Sequence, residues 1–301
     1  MHDTPADPLA TLLPSATDSD RPWLVWYAPG ERVELTGRVL HMWQCKIANL
    51  LVEEVIGNDP GAGPLVHLGL GVHWRTMTWC GGVWLTGGTV LFRSSAETDR
   101  PTPATPGPPR PVDVSVAFTH SGLDANAQLQ VLVPREPLAV RWPESLPPLV
   151  LDGVADVMTR ADSFPSLRID GHRAAVLEGA ETRPRKLPGD SAELSRDALA
   201  AGTVDSPPKA GSAGPAPVHP GIESSDLRGA GRAVMVRADS PLGAVRGVLA
   251  AWRTGLTAVL ISQDSDAELV RAACRQEGAT AHRPGPPSPP PQRQACAHRH
   301  R

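Results

Sequence analysis

The fold class is decided by one stretch, residues 30–92: GERVELTGRVLHMWQCKIANLLVEEVIGNDPGAGPLVHLGLGVHWRTMTWCGGVWLTGGTVLF. After Thr36, a plausible N-cap, apolar residues recur every three or four positions to Val55 and predict a helix of about five turns. Residues 65–68 are typical of a buried strand, 74–85 of a second helix, and 89–92 of a further strand. This β-α-β order requires a parallel sheet with a right-handed crossover. The sequence therefore predicts an α/β fold with a mainly parallel sheet flanked by helices.

Further elements are predicted on both sides of this stretch. A hairpin precedes it (23–27 and 32–35), and strands at 112–118 and 129–133 follow, with a helix at 149–160. Later, residues 233–236 and 258–261 are predicted as strands, and 241–253 and 267–277 as helices. The expected organisation is a disordered segment 1–19, an α/β unit 20–180, a largely disordered linker 181–230 with a short helix at 192–201, a second β-α-β-α unit 231–282 completing the same domain, and a disordered tail 283–301.

The two compact regions resemble each other. Glu34-Leu35-Thr36 and Glu193-Leu194-Ser195 have the same pattern at a helix start, and Trp84 and Trp252 each precede a Gly-terminated helix end and a strand. Two readings remain open from the sequence. Convergence of two β-α-β units explains the match, and so does an internal duplication giving two halves of one doubly wound sheet.

Composition excludes several classes of protein. The net charge of −3 is small and negative, so the sequence has no excess of positive charge that would attract nucleic acid. No apolar run reaches the length of a membrane helix, and the acidic N-terminus lacks the basic region of a secretory signal. The four cysteines form no CxxC pair, which favours reduced thiols and a cytoplasmic protein. We therefore expect no nucleic-acid or membrane partner, and a small molecule or a partner protein remains the expected ligand.

The order of elements in residues 30–92 resembles the start of AMP-binding enzymes, which form acyl- or aryl-adenylates. The whole chain is most similar to a small family of truncated relatives of these enzymes from high-GC bacteria. The resemblance covers residues 20–95 well, 230–280 moderately and 140–180 loosely. It implies the N-terminal scaffold of an adenylating enzyme.

The resemblance also implies cations that this sequence lacks. Full enzymes carry a Ser/Thr/Gly-rich phosphate loop ending in Pro-Lys, and a lysine in a C-terminal domain. Here the nearest loop is Gly211–Pro217, which ends without lysine, and the only lysines are Lys46, Lys186 and Lys209. Without these cations, the transferring phosphoryl group has no evident electrostatic stabilisation. The prediction is a catalytically incomplete relative with a binding role; the alternatives are an active ligase with an atypical nucleotide site and an interaction protein without ligand.

Other motifs are weaker. Gly69-Leu70-Gly71 lies where a dinucleotide fingerprint belongs, but Trp74 replaces its third glycine. Residues 210–214 (AGSAG) resemble a nucleophile elbow without the preceding strand. Cys296, His298 and His300 have chelating side chains in a low-complexity tail. We therefore predict no catalytic residue, no cofactor-binding residue, no metal ligand and no cofactor.

Tryptophan is unusually frequent, with 8 residues beside a single tyrosine. At inward-facing positions most of these rings belong to a core. The other interpretation is an aromatic cleft at the carboxyl edge of the sheet near His73 and Trp74, where ligands bind in α/β folds.

Overall fold

A computed structural model describes residues 7–18, 21–56, 63–93, 111–178, 192–202 and 233–281. Its strands are β1 (Pro22–Ala28), β2 (Glu31–Thr36), β3 (Leu65–Gly69), β4 (Thr89–Phe92), β5 (Val114–Ala117), β6 (Leu129–Leu132), β7 (Val150–Asp152), β8 (Ala174–Glu178), β9 (Ala192–Ser195), β10 (Ala233–Arg237), β11 (Thr257–Ile261) and β12 (Ala279–Ala281). Its helices are α1 (Gly37–Leu51), α2 (Trp74–Leu85), α3 (Ala155–Met158), α4 (Arg196–Ala201), α5 (Pro241–Arg253) and α6 (Ala267–Glu277).

The described strands form two sheets. Sheet A has the order β12-β10-β11-β1-β2, and sheet B has the order β7-β6-β5-β3-β4-β8-β9. Neighbouring strands are parallel except in two hairpins at the sheet edges, β1–β2 and β8–β9. The predicted α/β class with mainly parallel pairing is confirmed, but the strands divide between two sheets instead of forming one.

Local sequence explains where the helices begin and end. The Thr36 hydroxyl accepts a hydrogen bond from the backbone N–H of Val39 at 3.2 Å and begins α1. Ser240 and Asp266 cap α5 and α6 in the same way. Gly278 ends α6 with a φ of 58°, a left-handed conformation that glycine adopts without strain.

A single apolar core joins the two sheets. Helices α1, α2 and α5 pack with the inner faces of both sheets, so that Trp26 of β1, Leu50 of α1 and Val116 of β5 belong to one buried cluster. Helix α6 covers the opposite face of sheet A, where a second cluster includes Val25 and Ala273. Helix α2 is buried all round because it lies between two sheets, which fits its nearly continuous apolar sequence.

The two sheets share one topology. Reading β3, β4, β5, β8 and β9 as the counterparts of β10, β11, β12, β1 and β2 turns the order of sheet A into that of sheet B without β6 and β7. Each sheet therefore combines a hairpin from one half of the chain with a β-α-β unit from the other half. This interlocked arrangement is what an internal duplication predicts.

Matching hydrogen bonds support the same equivalence. The indole N–H of Trp84 donates to the Ala175 carbonyl at 3.1 Å, and that of Trp252 donates to the Trp23 carbonyl at 2.9 Å. Four further contacts repeat the pattern: Thr89 Oγ1 donates to Ala174 O and Thr257 Oγ1 to Pro22 O, and Thr36 and Ser195 cap α1 and α4. Convergence of two short motifs does not explain agreement at so many positions.

Three sequence expectations differ from the structure. Residues 149–160, predicted as a helix, form β7 and the single turn α3, because Asp152 binds the backbone N–H groups of residues 154 and 155. Residues 192–201 begin as β9 before α4. Residues 7–18, within the segment expected to be disordered, form a helical turn at Ala10–Leu12 because Leu9 is fully buried in the common core.

Within the described ranges, no helix is long and apolar enough to cross a membrane.

Candidate binding site

The candidate site lies at the carboxyl ends of β3 and β5. The chain leaves β3 toward β4 on one side and later returns to place β5 on the other side. Such a switch point opens a crevice between two loops that diverge, and ligands of open α/β sheets bind there. His73 follows β3, Phe118 follows β5, and their ring centroids are 4.8 Å apart.

His73 is held in one tautomer by the start of α2. Its Nδ1 accepts a hydrogen bond from the backbone N–H of Arg75 at 3.1 Å, so that His73 is the N-cap of the helix. Burial, with the nearby charges of Arg75 and Arg135, lowers the pKa of His73 to about 3. The neutral ring therefore carries its proton on Nε2, a buried donor for which the described residues provide no hydrogen-bond partner.

Arg75 is buried between tryptophan rings. Its guanidinium carbon lies 4.4 Å from the ring centroid of Trp74 and 5.7 Å from that of Trp43. Only 2% of the residue is exposed. Nη2 donates to the Glu136 carbonyl at 3.1 Å, while Nε has no partner among the described residues. Burial lowers the pKa of Arg75 to about 10, although carboxylates at Glu31, Glu136 and Asp152 oppose that shift.

Four adjoining side chains each carry an N–H donor without a partner among the described residues. The donors are Nε2 of His73, Nε1 of Trp26, Nε1 of Trp74 and Nε of Arg75. Trp26 and His73 have ring centroids 4.9 Å apart, and His73 and Trp74 are 5.6 Å apart. Each buried donor without an acceptor costs about 1–3 kcal/mol, so four on adjoining side chains are unusual in a purely structural core. The arrangement suits a group that accepts several hydrogen bonds.

The charges around the site are mixed. Arg135 lies with its guanidinium carbon 5.7 Å from the Phe118 ring and adds a second cation next to His73. One carboxylate oxygen of Glu31 is buried without a partner among the described residues. A ligand here meets donors and cations beside His73, and the carboxylates of Glu31, Glu136 and Asp152 lie close enough to Arg75 to affect its pKa.

Comparison with known proteins rests on structure alone, because no family model and no curated protein matches the chain. An acyl-CoA synthetase from Brucella canis is similar, with a TM-score of 0.61 and 15% identity over 92% of this chain and 46% of its own. The N-terminal subdomain of NpsA from Klebsiella oxytoca has a TM-score of 0.53 and 13% identity over 91% of this chain and 60% of its own. MatB from Rhodopseudomonas palustris, without ligand, has a TM-score of 0.53 and 12% identity over 90% of this chain and 48% of its own.

The fold is that of the N-terminal subdomain of adenylate-forming enzymes. The chain spans about half the length of these solved structures. At such low identity the similarity establishes the fold, and the chemistry has to be argued from the residues.

Lys46 is the one lysine within the described residues. Lys46 Nζ donates to the carbonyls of Met158, at 3.3 Å, and Arg160. These hydrogen bonds connect the end of α3 to α1, and they already use the ammonium group of Lys46. Lys186, Lys209 and the phosphate-loop candidate Gly211–Pro217 lie outside the described residues.

Some of the other candidate motifs from the sequence lie outside the described residues, and one lies inside them. The AGSAG segment and the set Cys296, His298 and His300 lie outside the described residues. The loop from Gly69 to Trp74 joins β3 to α2, and its helix-terminal N–H at Arg75 is already bound by His73. In the part of the chain that the structure describes, no group of three or more His, Cys, Asp or Glu residues could hold a metal ion.

A second concavity lies at the carboxyl ends of β1 and β11. It has a volume of about 410 Å³, and its lining includes Gly30, Asp264, Asp266 and Glu268. Three carboxylates repel phosphate and carboxylate ligands. We therefore place the candidate site at His73–Arg75 and not in this acidic cleft.

The sequence pointed to His73 and Trp74 only through the alternative interpretation of an aromatic cleft, and that interpretation gave no site role to Arg75 or Trp26. A signal for Arg75 was present, since it is the only charged residue in the otherwise apolar or neutral helix WRTMTWCGGVWL. A charge in a helix buried all round has to meet a partner or a ligand. No sequence signal places Trp26 beside His73, because their proximity depends on how the two sheets pack.

Proposed function

We propose that this chain is a small-molecule-binding protein built on the adenylate-forming fold, and that it does not by itself form adenylates. The observation that carries the proposal is that the adjoining side chains of Trp26, His73, Trp74 and Arg75 each hold an N–H donor without an acceptor among the described residues. A ligand with an oxygen-rich group, such as a carboxylate or a phosphate, supplies the missing acceptors.

The lysines support the second half of the proposal. Adenylation develops negative charge on the phosphoryl oxygens and needs cations placed to meet it. Lys46 is engaged with two carbonyls, and the phosphate-loop candidate Gly211–Pro217 ends without a lysine. Arg75 is held between two rings and bound to a loop carbonyl, so it suits the binding of a static group better than phosphoryl transfer.

A thermal-shift and calorimetric screen tests the proposal. The panel is benzoate, octanoate, acetyl-CoA, AMP, and ATP with Mg²⁺, each also assayed for pyrophosphate release with a carboxylic acid. We expect at least one oxygen-anion ligand to raise the melting temperature, and no pyrophosphate release. Release with any acid would show an active ligase with an atypical site. No shift with any ligand, together with a co-purifying protein, would show an interaction protein.

A matched pair of variants locates the binding. Trp74→Phe removes one unpartnered donor and keeps a ring under Arg75, so the affinity for the ligand should fall roughly tenfold. Trp252→Phe removes an indole N–H that is already bonded to the Trp23 carbonyl, away from the site. It should lower stability and leave the affinity unchanged. Equal affinity in Trp74→Phe and the wild type would place the ligand elsewhere.

A further inference from the structure

The loop between β6 and β7 covers the candidate site. Residues 135–149, here named the cover loop, follow the buried end of β6. The carbonyl of Glu136 accepts the hydrogen bond from Arg75 Nη2, and Arg135 lies over the Phe118 ring. Farther along, the Trp142 ring contacts His120, with centroids 6.1 Å apart, and the backbone N–H of Trp142 donates to Asp152 Oδ2 at 2.6 Å. The cover loop therefore touches residues that follow β3 and β5, and the last residue of β7.

The outer side of the cover loop has no packing that would hold it down. Leu138 is 91% exposed, Val140 is 77% exposed and Leu149 is 92% exposed. The loop is thus attached through a few polar and ring contacts on its inner side. Water or a ligand can replace such contacts with hydrogen bonds of similar strength. Opening the loop therefore costs less free energy than unfolding the whole protein.

The end of the cover loop is strained. Pro147 O accepts a hydrogen bond from the Val150 N–H at 3.2 Å, and this turn has Pro148 at its second position and Leu149, with a φ of +67°, at its third. A turn with proline second and positive φ third is of type II, which normally places glycine or asparagine at the third position. Leu149 is the one non-glycine residue with positive φ in the described part of the chain. Strain in an exposed loop beside a buried site is a feature of segments that move.

We propose that the cover loop is a lid over the site, and that opening it frees the Arg75 guanidinium so that an oxygen of the ligand replaces the Glu136 carbonyl. The inference rests on the proposed function, since it gives the ligand its entrance and names Arg75 as the anchoring residue. In the ligand-bound form an oxygen of the ligand takes the place of the Glu136 carbonyl, so the hydrogen bond to Arg75 is kept while the ligand also reaches the adjoining donors. Leu149 makes the closed form less stable than a glycine or asparagine turn would.

Phenylglyoxal, which modifies accessible arginine side chains, measures the opening without any ligand. Modification of each arginine is followed over time by mass spectrometry of peptides. Arg196 is the internal reference, since it is 0% exposed and held by Asp7 far along the chain from the cover loop. We expect Arg75 to react at least tenfold faster than Arg196, because Arg75 needs only the lid to open. Equal rates for Arg75 and Arg196 would overturn the proposal, since both would then report global unfolding.

Variants of Leu149 connect the opening to the turn. Leu149→Asn tolerates positive φ and should slow the modification of Arg75 by roughly threefold or more, whereas Leu149→Ile should accelerate it by a similar factor. Val140→Asn and Val140→Ile change another exposed residue of the same loop, one without positive φ, and should leave the rate unchanged. Equal effects at 140 and 149, or none at 149, would overturn the role of the turn and with it the lid.

The two proposals fail separately. If Arg75 reacts as expected but no member of the ligand panel binds, the proposed function is contradicted. The motion of the loop would still be supported. A protein that binds a ligand through Trp74 while Arg75 reacts only as fast as Arg196 would keep the proposed function and exclude the lid.

Discussion

Asp7 and Arg196 form an ion pair in which both side chains are almost completely buried. Arg196 Nε donates to Asp7 Oδ1 at 2.8 Å, and the same guanidinium donates to the Trp84 carbonyl at 2.7 Å. The pair joins the segment before β1 to the start of α4, which follows the edge strand of sheet B. A residue near the N-terminus therefore neutralises a charge in the middle of the core.

We expect Asp7→Asn to lower the free energy of unfolding by about 3–5 kcal/mol, because it leaves the buried Arg196 charge without a counterion. Urea denaturation measures the change. Asp264→Asn, at an exposed position, should have an effect within about 0.5 kcal/mol. A loss below about 1 kcal/mol in Asp7→Asn would mean that the carbonyls alone stabilise Arg196.

Stability should fall as the pH decreases below about 6.5. Burial is the main cause that lowers the pKa of His73 to about 3 and that of His67 to about 4, so both rings are neutral when folded and bind protons when unfolded. Folding then opposes protonation, and each imidazole should reduce the free energy of unfolding by about 2 kcal/mol between pH 7 and pH 5.

The variant His73→Asn isolates one of these contributions. Asparagine keeps an N-cap acceptor for the Arg75 N–H but does not titrate. Its stability should therefore change less between pH 7 and pH 5 than that of the wild type, by about 2 kcal/mol, whatever its stability at pH 7. Identical pH dependence in urea titrations of the two proteins would show that folding does not change the pKa of His73.

The repeated threonines should contribute similar amounts. Thr89→Val and Thr257→Val each remove a hydroxyl that donates to a carbonyl at the start of a neighbouring strand, while keeping the shape of the side chain. We expect each to cost about 1–2 kcal/mol in thermal or urea unfolding. Thr17→Val, at an exposed turn, is the control. A large cost at one site and none at the other would contradict the structural equivalence of the two halves.

Close packing of α1 on α2 requires glycine at position 82. A Cβ there would lie 2.4 Å from Ile47 Cγ2, so Gly82→Ala should be destabilising by about 1–3 kcal/mol despite the better helix propensity of alanine. Gly243→Ala in α5 is the matched control, because the nearest atoms would be 3.3 Å away and only have to give slightly. Its stability should stay within about 1 kcal/mol of the wild type. Melting temperatures of the two variants check the prediction.

Much of the fold could be predicted because its signals are local. The cap at Thr36, the apolar period of α1, and Gly255 after α5 act within a few residues, and each element predicted from them is present. The prediction of a helix at 149–160 is wrong because the hydrogen bonds of the Asp152 carboxylate and the turn at Leu149 outweigh the helical periodicity. The short strands β8 and β12 gave no pattern long enough to detect.

The candidate site was only half visible in the sequence. His73 and Trp74 could be placed at the carboxyl edge because position relative to a predicted strand is a local property. His73 contacts Trp26, which is 47 positions away in the chain. Arg75 donates to the carbonyl of Glu136, which is 61 positions away. No periodicity records such contacts.

The sequence by itself determined the α/β class, the starts of the main helices and the scarcity of lysine, because caps, spacing and composition act locally or can be counted. Only the tertiary structure decided that the strands form two interlocked sheets, that Asp7 neutralises Arg196, and that Trp26, His73, Trp74 and Arg75 meet. Those outcomes depend on which apolar faces pack together. Burial then fixes which charges and donors lose water, and this loss gives the site its chemistry.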